Sequence, residues 1–206
     1  HTPFPYSRTK REAEKLVMEY HSRGHIRAVI VRPGDVFGPG DRTSLLKMKG
    51  MLESGTMALI DGGRRLGAFT YVENLADGII LAGTVKEAEG NAYIITDGVV
   101  MTWREYFTML CSAAGVGPPR IFISSRILRP AARLLEWLYR LLRIRSRPPV
   151  TRYLVDHLSH DTHFSIEKAG KDLGFTPAVP VQEAVDRTAR WYRRTVDGNR
   201  NGRGGE

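Results

Sequence analysis

Long apolar runs, paired cysteines and a leader segment are all missing from this sequence of 206 residues. No run approaches the roughly 18 apolar residues that a transmembrane helix needs, and no signal peptide is visible. The single cysteine, Cys111, excludes an internal disulfide and therefore the class of small secreted disulfide scaffolds. The content of 42% hydrophobic and 26% charged residues is typical of a soluble domain with a core. We therefore expect a cytoplasmic protein.

Acidic residues are scarce relative to basic ones. The chain has 22 Asp and Glu against 31 Lys and Arg, a formal net charge of +9. Such an excess is typical of proteins that meet nucleic acid, an anionic membrane or a phosphate-bearing cofactor. The sequence contains no recognition-helix or aromatic-stacking motif, so we expect no nucleic-acid partner.

Segments with helical and strand periodicity alternate along the chain, which predicts an α/β fold. A helix over 7–21 precedes an apolar run over 26–33 that is typical of a strand buried on both faces. Thr102 and Glu105 form a capping box for a helix that Gly115 ends. The other predicted elements are helices over 44–55, 73–86, 126–147, 167–174 and 181–194, strands over 57–60, 67–72, 91–98 and 162–166, and a disordered tail over 197–206.

Tyr6 and Lys10 stand one turn apart at the start of the first predicted helix, so they share one face. A lysine ammonium at this spacing favours a phenolate, and the pair can pass a proton to or from a hydroxyl or carbonyl. With 8 tyrosines in the chain the spacing also arises by chance. The segments that follow the pair decide between these interpretations.

Four segments, in order, resemble the extended short-chain dehydrogenase/reductase superfamily. "PYSRTKREAEKLV" resembles its Tyr-x-x-x-Lys helix, and "IVRPGDVFGPGD" resembles its Arg-Pro strand and glycine-rich loop. "FTYVENLADGIILA" is similar to the segment that returns the chain to the sheet. "AGKDLGFTP" is similar to the late Leu-Gly-aromatic-x-Pro motif. The resemblance covers roughly residues 3–195 and implies a Rossmann-type parallel sheet with a small α/β substrate-binding domain.

The resemblance also implies a site that uses NAD or NADP. Tyr6 would be the general acid/base, and Lys10 would assist it and bind the cofactor ribose. The other residues implied to bind the cofactor are Pro33, Gly34, Asp35 and Val36. Those implied to bind the substrate are Phe37, Arg42, Arg64, Phe69 and Tyr71, in loops over 35–44 and 60–69.

A glycine-rich dinucleotide turn, G-x-G-x-x-G or G-x-x-G-x-x-G, does not occur in this sequence. The catalytic Ser or Thr that precedes the tyrosine in the superfamily is absent too. We therefore expect this chain to be the C-terminal part of an enzyme that is a homodimer when intact. On its own it should be inactive.

The resemblance to the superfamily also implies how the chain is divided into domains. Residues 1–36 would end the dinucleotide-binding domain, and 37–70 would form a substrate-binding segment. Residues 71–115 would return to the sheet, and 116–196 would form the substrate-binding C-terminal region.

Glu73 and Asn74, in "YVEN", resemble the 3β-hydroxysteroid and sterol dehydrogenase branch, which implies an apolar substrate. The alternative is a nucleotide-sugar epimerase or dehydratase. Those enzymes carry an Arg-Asp pair where this chain has Gly67 and Ala68, although Arg64 and Arg65 lie three residues earlier.

A basic, leucine-rich helix over 127–145 supports two interpretations. Residues 126–147 hold seven arginines against one acid, Glu136. The leucine stripe either covers the core of the substrate domain or lies on an anionic membrane, as part of a non-catalytic surface module or an enzyme peripheral to the membrane. The pattern favours the core.

His157, His160 and His163 lie near Asp161 at spacings that suggest metal ligands. No further carboxylate or cysteine completes a recognisable zinc pattern. We therefore expect no metal.

Overall fold

The computed structural model describes residues 4–41, 50–51, 54–55, 57–146 and 148–201. Its contacts divide the chain into two compact units. The first unit consists of His1–Val36, Ala68–Gly98 and Phe164–Val179. The second consists of Phe37–Gly67, Val99–His163 and Pro180–Glu206. In the structure, the second segment of the first unit ends at Gly98, and its third segment is Phe164–Val179. The sequence had suggested boundaries after residues 115 and 196 instead.

Helices and strands alternate along the described chain, so the predicted α/β class is confirmed. None of the described helices is long and apolar enough to cross a bilayer. The elements are α1 (Pro5–Ser22), β1 (Ile30–Pro33), β2 (Asp35–Phe37), β3 (Ala58–Ile60), β4 (Leu66–Gly67), β5 (Phe69–Tyr71), α2 (Val72–Thr84), β6 (Ala92–Ile95), β7 (Met101–Thr102), α3 (Trp103–Ala114), β8 (Ile121–Ile123), α4 (Ser125–Leu141), α5 (Arg152–Leu158), α6 (Glu167–Leu173) and α7 (Val181–Asn201).

Helix α1 opens the first unit. Pro5 occupies its first turn, where a missing amide hydrogen costs no hydrogen bond. All of α1 is described and none of its residues is buried. Leu16 and Tyr20, two members of its apolar stripe, are 54% and 47% exposed. The periodicity therefore predicted the helix, but this chain does not cover the stripe.

Strand β1 pairs in parallel with β6, from Ile30 opposite Ala92 to Pro33 opposite Ile95. The prediction that this strand is buried on both faces is wrong. Ile30 and Val31 are half-buried, and Arg32 and Pro33 are exposed. Among the described residues β6 is the one strand beside β1, so β1 lies at an edge, and Val29 and Val31 pack only partly buried against the core of this unit.

The core of the first unit lies on one face of β6. Tyr93 and Ile95 point into it, and α2 and α6 pack there through small and aliphatic residues. Gly78 of α2 lies so close to Ile95 that a Cβ would sit 2.8 Å from Ile95 Cγ2. The close approach of α2 to β6 therefore requires glycine at this position.

The second unit contains two short strand pairs. Strand β3 runs parallel to β8, and β4 runs antiparallel to β7. Helix α4 packs on α5 around Ile60, Ala132 and Val155. Helix α3 packs on α7.

The predicted capping box of α3 is confirmed. The Glu105 amide donates to Thr102 Oγ1 over 3.2 Å, and the Thr102 amide donates to Glu105 Oε2 over 2.7 Å. Gly115 ends the helix with a left-handed φ of 75°. Both ends of α3 are therefore encoded by local side-chain and backbone chemistry.

Further differences between the sequence predictions and the structure lie in the C-terminal part of the chain. Helix α5 was not predicted, because its seven residues are too few for a clear periodicity. Residues 162–166 do not form the predicted strand. Helix α7 continues to Asn201, into the predicted disordered tail, and residues 202–206 lie outside the described residues. The predicted helix over 44–55 also lies mostly outside them.

Candidate active site

Tyr6 and Lys10 lie one turn apart near the N-terminus of α1, as predicted. The Lys10 Nζ lies 5.8 Å from the centroid of the Tyr6 ring. The Tyr6 side chain is 61% exposed, and Lys10 is exposed as well. A phenol and an ammonium are therefore presented together on an open helix face, where a hydroxyl-bearing ligand can reach both.

An ion pair ties α1 to β1. Arg32 Nε donates to Glu14 Oε2 over 3.0 Å, and a second guanidinium nitrogen donates to Glu14 Oε1. The hydrogen bonds from Arg32 lower the pKa of the Glu14 carboxyl, although partial burial opposes this shift. Glu14 follows Lys10 by one turn, so the fork orients the Tyr6–Lys10 face of α1 relative to the end of β1.

Gly34 marks a very close approach of two chain segments. A Cβ on Gly34 would lie 1.9 Å from the Ala68 carbonyl oxygen, which accepts a hydrogen bond from the Asp35 amide over 2.6 Å. The Gly34 amide itself donates to Thr70 Oγ1 over 3.1 Å. The glycine of this motif is thus required by packing, in addition to any role beside the cofactor.

The "YVEN" segment is held by a buried polar network. The Asp97 carboxylate accepts hydrogen bonds from the Tyr71 amide at 2.9 Å and from Asn74 Nδ2, also at 2.9 Å. The Asn74 side chain also pairs with the backbone of Val179, donating over 3.0 Å and accepting over 2.9 Å. Asn74 is fully buried, so this motif residue joins the start of α2 to the late segment around Val179.

Burial has the largest influence on the pKa of Asp97, the carboxyl group of this network. Removal of the Asp97 carboxyl from water raises its pKa, whereas the hydrogen bonds from Asn74 and from the Tyr71 amide act in the opposite direction. A buried carboxylate with neutral donors is stable only while each donor keeps its place. Sequence analysis did not identify Asp97, because a lone aspartate after a strand carries no distinctive spacing.

The residues predicted to contact substrate belong to both units. Phe69 and Tyr71 are buried in the first unit, at 2% and 0% exposure. Phe37 belongs to the second unit, where it is 4% exposed and its ring lies 5.3 Å from that of Tyr106. Arg42 lies outside the described residues.

Arg64 lines a cavity of about 350 Å³ in the second unit, together with Arg104 and Asp61. Arg104 Nε donates to the Gly62 carbonyl over 2.8 Å, and its guanidinium lies 4.7 Å from the centre of the Phe122 ring. The backbone amide of Ser125 lowers the pKa of Asp61. The cavity therefore presents two arginines, of which sequence analysis identified one.

The histidine cluster is used for local packing and capping. His160 Nδ1 lies 2.8 Å from the Asp156 carbonyl oxygen, and the His157 ring stacks on Tyr153. Asp161 accepts a hydrogen bond from the Leu66 amide over 2.9 Å and pairs with Arg65. Among the described residues no group of three or more His, Cys, Asp and Glu side chains is placed to hold a metal ion.

Residues 2–124, more than half of the chain, match the 3-beta hydroxysteroid dehydrogenase/isomerase family. The chain belongs to this family. It is 34% identical to the 3beta-hydroxysteroid-dehydrogenase/decarboxylase isoform 2 of Arabidopsis thaliana, over 97% of this chain and 37% of the relative. It is 31% identical to the decarboxylating sterol-4-alpha-carboxylate 3-dehydrogenase of Schizosaccharomyces pombe, over 90% of this chain and 56% of the relative. The chain thus spans about a third to a little over half of these relatives.

Solved structures agree on the architecture. The UDP-glucuronic acid 4-epimerase of Bacillus cereus, in complex with UDP-glucuronic acid and NAD, superposes with a TM-score of 0.66 at 21% identity. The match covers 93% of this chain and 53% of that one. Family membership and this likeness confirm the predicted fold, a Rossmann-type α/β fold of the extended short-chain dehydrogenase superfamily.

Proposed function

We propose that this chain carries the proton-transferring residues of an NAD(P)-dependent oxidoreductase that interconverts a hydroxyl and a ketone on an apolar, sterol-like substrate. The observation that carries the proposal is the Tyr6–Lys10 pair, exposed on one face of α1 with Nζ 5.8 Å from the ring. Family membership supports the reaction class. The names of the Arabidopsis and Schizosaccharomyces relatives support a steroid or sterol substrate.

The two side chains fit a dinucleotide bound beside α1. An exposed phenol and ammonium supply the donors that ribose hydroxyls accept, and the turn from Pro33 to Val36 has a glycine where backbone approaches backbone. A bound nicotinamide would supply the hydride acceptor for oxidation of the substrate and the hydride donor for its reduction. Tyr6 takes the hydroxyl proton in oxidation and returns it in reduction, and the positive charge of Lys10 stabilises the tyrosine while it lacks its proton.

Tyr6 and Lys10 belong to the first unit, which also contains β1. The Arg32–Glu14 fork joins α1 to β1, and Pro33 ends that strand directly after Arg32. We expect the full site to require the glycine-rich turn that this sequence lacks, so that residues 1–206 on their own bind dinucleotide weakly and do not turn over. Homodimerisation of the intact enzyme remains a prediction.

The test begins with the intact mass of the naturally produced polypeptide that contains this chain, followed by NAD and NADP titrations on the same sample. Oxidation of a 3β-hydroxysterol is then measured by absorbance of the reduced cofactor. Tyr6→Phe should lower kcat by about 10²- to 10⁴-fold, because the phenyl ring cannot carry the proton. Lys10→Met should also lower kcat, whereas Lys15→Met on the same helix should leave it unchanged.

Wild-type turnover in folded Tyr6→Phe protein would refute the assignment. The alternative is a nucleotide-sugar substrate bound through Arg64 and its neighbour Arg104 in the cavity of the second unit. Saturable UDP-sugar binding that Arg64→Gln abolishes, without turnover of any sterol, would replace the sterol proposal with that one.

A further inference from the structure

The chain changes its strand partner in the turn from Pro33 to Val36, which we call the cofactor turn. Strand β1 pairs with β6 as far as Pro33, and β2, which begins at Asp35, pairs with β5. Gly34 lies between β1 and β2 and belongs to neither strand. Its backbone therefore has to be held by hydrogen bonds outside the two regular ladders.

The hydroxyl of Thr70 lies between Gly34 and strand β6. The Gly34 amide donates to Thr70 Oγ1 over 3.1 Å, and Thr70 Oγ1 donates to the Ile95 carbonyl oxygen over 3.2 Å. The direct distance from the Gly34 nitrogen to the Ile95 oxygen is longer, at 3.4 Å. Thr70 is 0% exposed. One buried hydroxyl thus accepts from the cofactor turn and donates to β6, which uses both of its hydrogen-bonding functions.

The inner side of the cofactor turn is fixed, and its outer side is open. The Asp35 amide donates to the Ala68 carbonyl oxygen over 2.6 Å, and the absence of a side chain at Gly34 lets the two backbones meet. Pro33 and Val36, at the two ends of the turn, are exposed. The turn therefore presents a backbone surface whose position is set by buried hydrogen bonds, as a site that orients a ligand requires.

We infer that Thr70 is a positioning residue for the dinucleotide: its hydroxyl fixes the backbone of the cofactor turn, and the turn orients the bound nicotinamide for hydride transfer. The inference rests on the proposed function, which assigns residues 33–36 to the cofactor. Because Thr70 is fully buried, it acts through the turn and not by contact with a ligand. Sequence analysis did not identify it, since its two partners lie 36 and 25 residues away.

Amide hydrogen exchange tests the positioning without turnover. In the naturally produced polypeptide that contains this chain, Thr70→Val should speed exchange of the Gly34 amide by about 10-fold, the equivalent of one lost hydrogen bond. The Ile30 amide, which donates to the Asn91 carbonyl over 2.9 Å at the other end of β1, is the internal reference and should keep its rate. Thr70→Ser retains the hydroxyl and should exchange like the wild type.

Kinetics test whether the turn orients the cofactor. Thr70→Val should lower kcat by about 10- to 100-fold, since a displacement of about 1 Å at the reacting centre can cost about 100-fold. The dissociation constant for the dinucleotide should rise by less than about 10-fold. The deuterium isotope effect on kcat should rise, because hydride transfer becomes slow relative to product release. Thr70→Ser should restore both values. A merely structural role would reduce the amount of folded enzyme and leave the isotope effect unchanged.

Thr96→Val is the matched control. Thr96 is a second buried threonine of the first unit, 3% exposed, and its hydroxyl accepts from the Gly98 amide over 3.2 Å. Its substitution removes a buried hydroxyl that holds a different turn, so kcat and the isotope effect should stay at their wild-type values. Circular dichroism melts confirm that each variant is folded. If Thr70→Val does not fold, Thr70→Cys takes its place with a smaller expected loss, because a thiol is a weaker hydrogen-bonding group.

Three results would overturn this inference alone, in an enzyme that binds dinucleotide and turns over. The first is wild-type kcat and isotope effect in folded Thr70→Val. The second is an unchanged exchange rate of the Gly34 amide in that variant. The third is an equal loss in Thr96→Val, which would show a general effect of buried hydroxyls. Absence of dinucleotide binding by the wild-type enzyme would instead overturn the proposed function, and this inference with it.

Discussion

Two parts of the first unit carry family motifs, and the surrounding structure uses them differently. The segment that holds Asn74 is buried and joined to Asp97 and Val179 by side-chain hydrogen bonds. The helix that holds Tyr6 and Lys10 has no buried residue and is tied to β1 by one ion pair. Asn74 is therefore a motif residue that holds the fold together. Tyr6 and Lys10 are motif residues without such a packing role in this unit, so their chemistry is the reason to study them.

Gly34→Ala should give the largest loss of stability. The added methyl group would lie 1.9 Å from the Ala68 carbonyl oxygen, which is backbone and cannot rotate away. Overpacking of this kind costs about 1–3 kcal/mol and more where backbone must move. Urea denaturation should therefore show a midpoint far below that of the wild type.

The matched control is Gly83→Ala. Gly83 lies in α2 of the same unit, and nothing lies within 4 Å of the position its Cβ would occupy. The helical propensity of alanine predicts a gain of about 0.5–1 kcal/mol. If both variants were equally stable, the close contact at Gly34 would not restrict this position.

Asn74→Ala should give the next largest effect. Removal of the side-chain amide leaves the Val179 N–H and C=O without their partner and takes one donor from the Asp97 carboxylate. A buried polar group without a partner costs about 1–3 kcal/mol, so the unfolding free energy should fall by at least that amount. Asn91→Ala, at a half-buried asparagine of the same unit that bonds only nearby carbonyls and Lys168, should cost less. A larger loss for Asn91→Ala would contradict the interpretation of Asn74 as a structural link.

Sequence patterns predicted the parts of the fold that local chemistry encodes. The capping box of α3 and the glycine that ends it were predictable because their partners lie within a few residues along the chain. The Tyr6–Lys10 pair was predictable for the same reason, since helical spacing alone brings the two together. Sequence patterns could not predict the contacts made by Asp97, by Arg104 or by the Glu14–Arg32 fork. The two partners in each of these contacts are distant in sequence and come together only in the folded chain.

The leucine-rich helix shows a different limit. Its periodicity predicted α4 but could not assign its apolar residues between core and surface, because more than half of the helix circumference carries hydrophobic side chains. The structure divides them, with Leu128 inside and Leu134 outside. Which apolar residues a helix buries depends on where its neighbours pack, and that is set by the whole fold.

Glu14→Gln should have the smallest effect on stability and a selective effect on function. Hydrogen bonds from Arg32 hold the Glu14 pKa below its ordinary value, so the pair stabilises the fold at pH values above that ordinary value. The contribution is lost as the pH falls through the lowered pKa. Because the Arg32 side chain is 53% exposed, the loss at neutral pH should be less than about 1 kcal/mol.

The same substitution tests whether the ion pair positions the site helix. In the intact enzyme Glu14→Gln should loosen α1 against β1 and raise KM for the dinucleotide more than it lowers kcat, because Tyr6 itself is unchanged. Glu12→Gln, which removes the exposed neighbouring pair with Lys15, should change neither constant. Equal kinetic effects of the two variants would mean that the Arg32–Glu14 fork is an ordinary surface ion pair. A selective effect of Glu14→Gln would show that the exposed site helix depends on this one attachment, as the buried motif segment depends on Asn74.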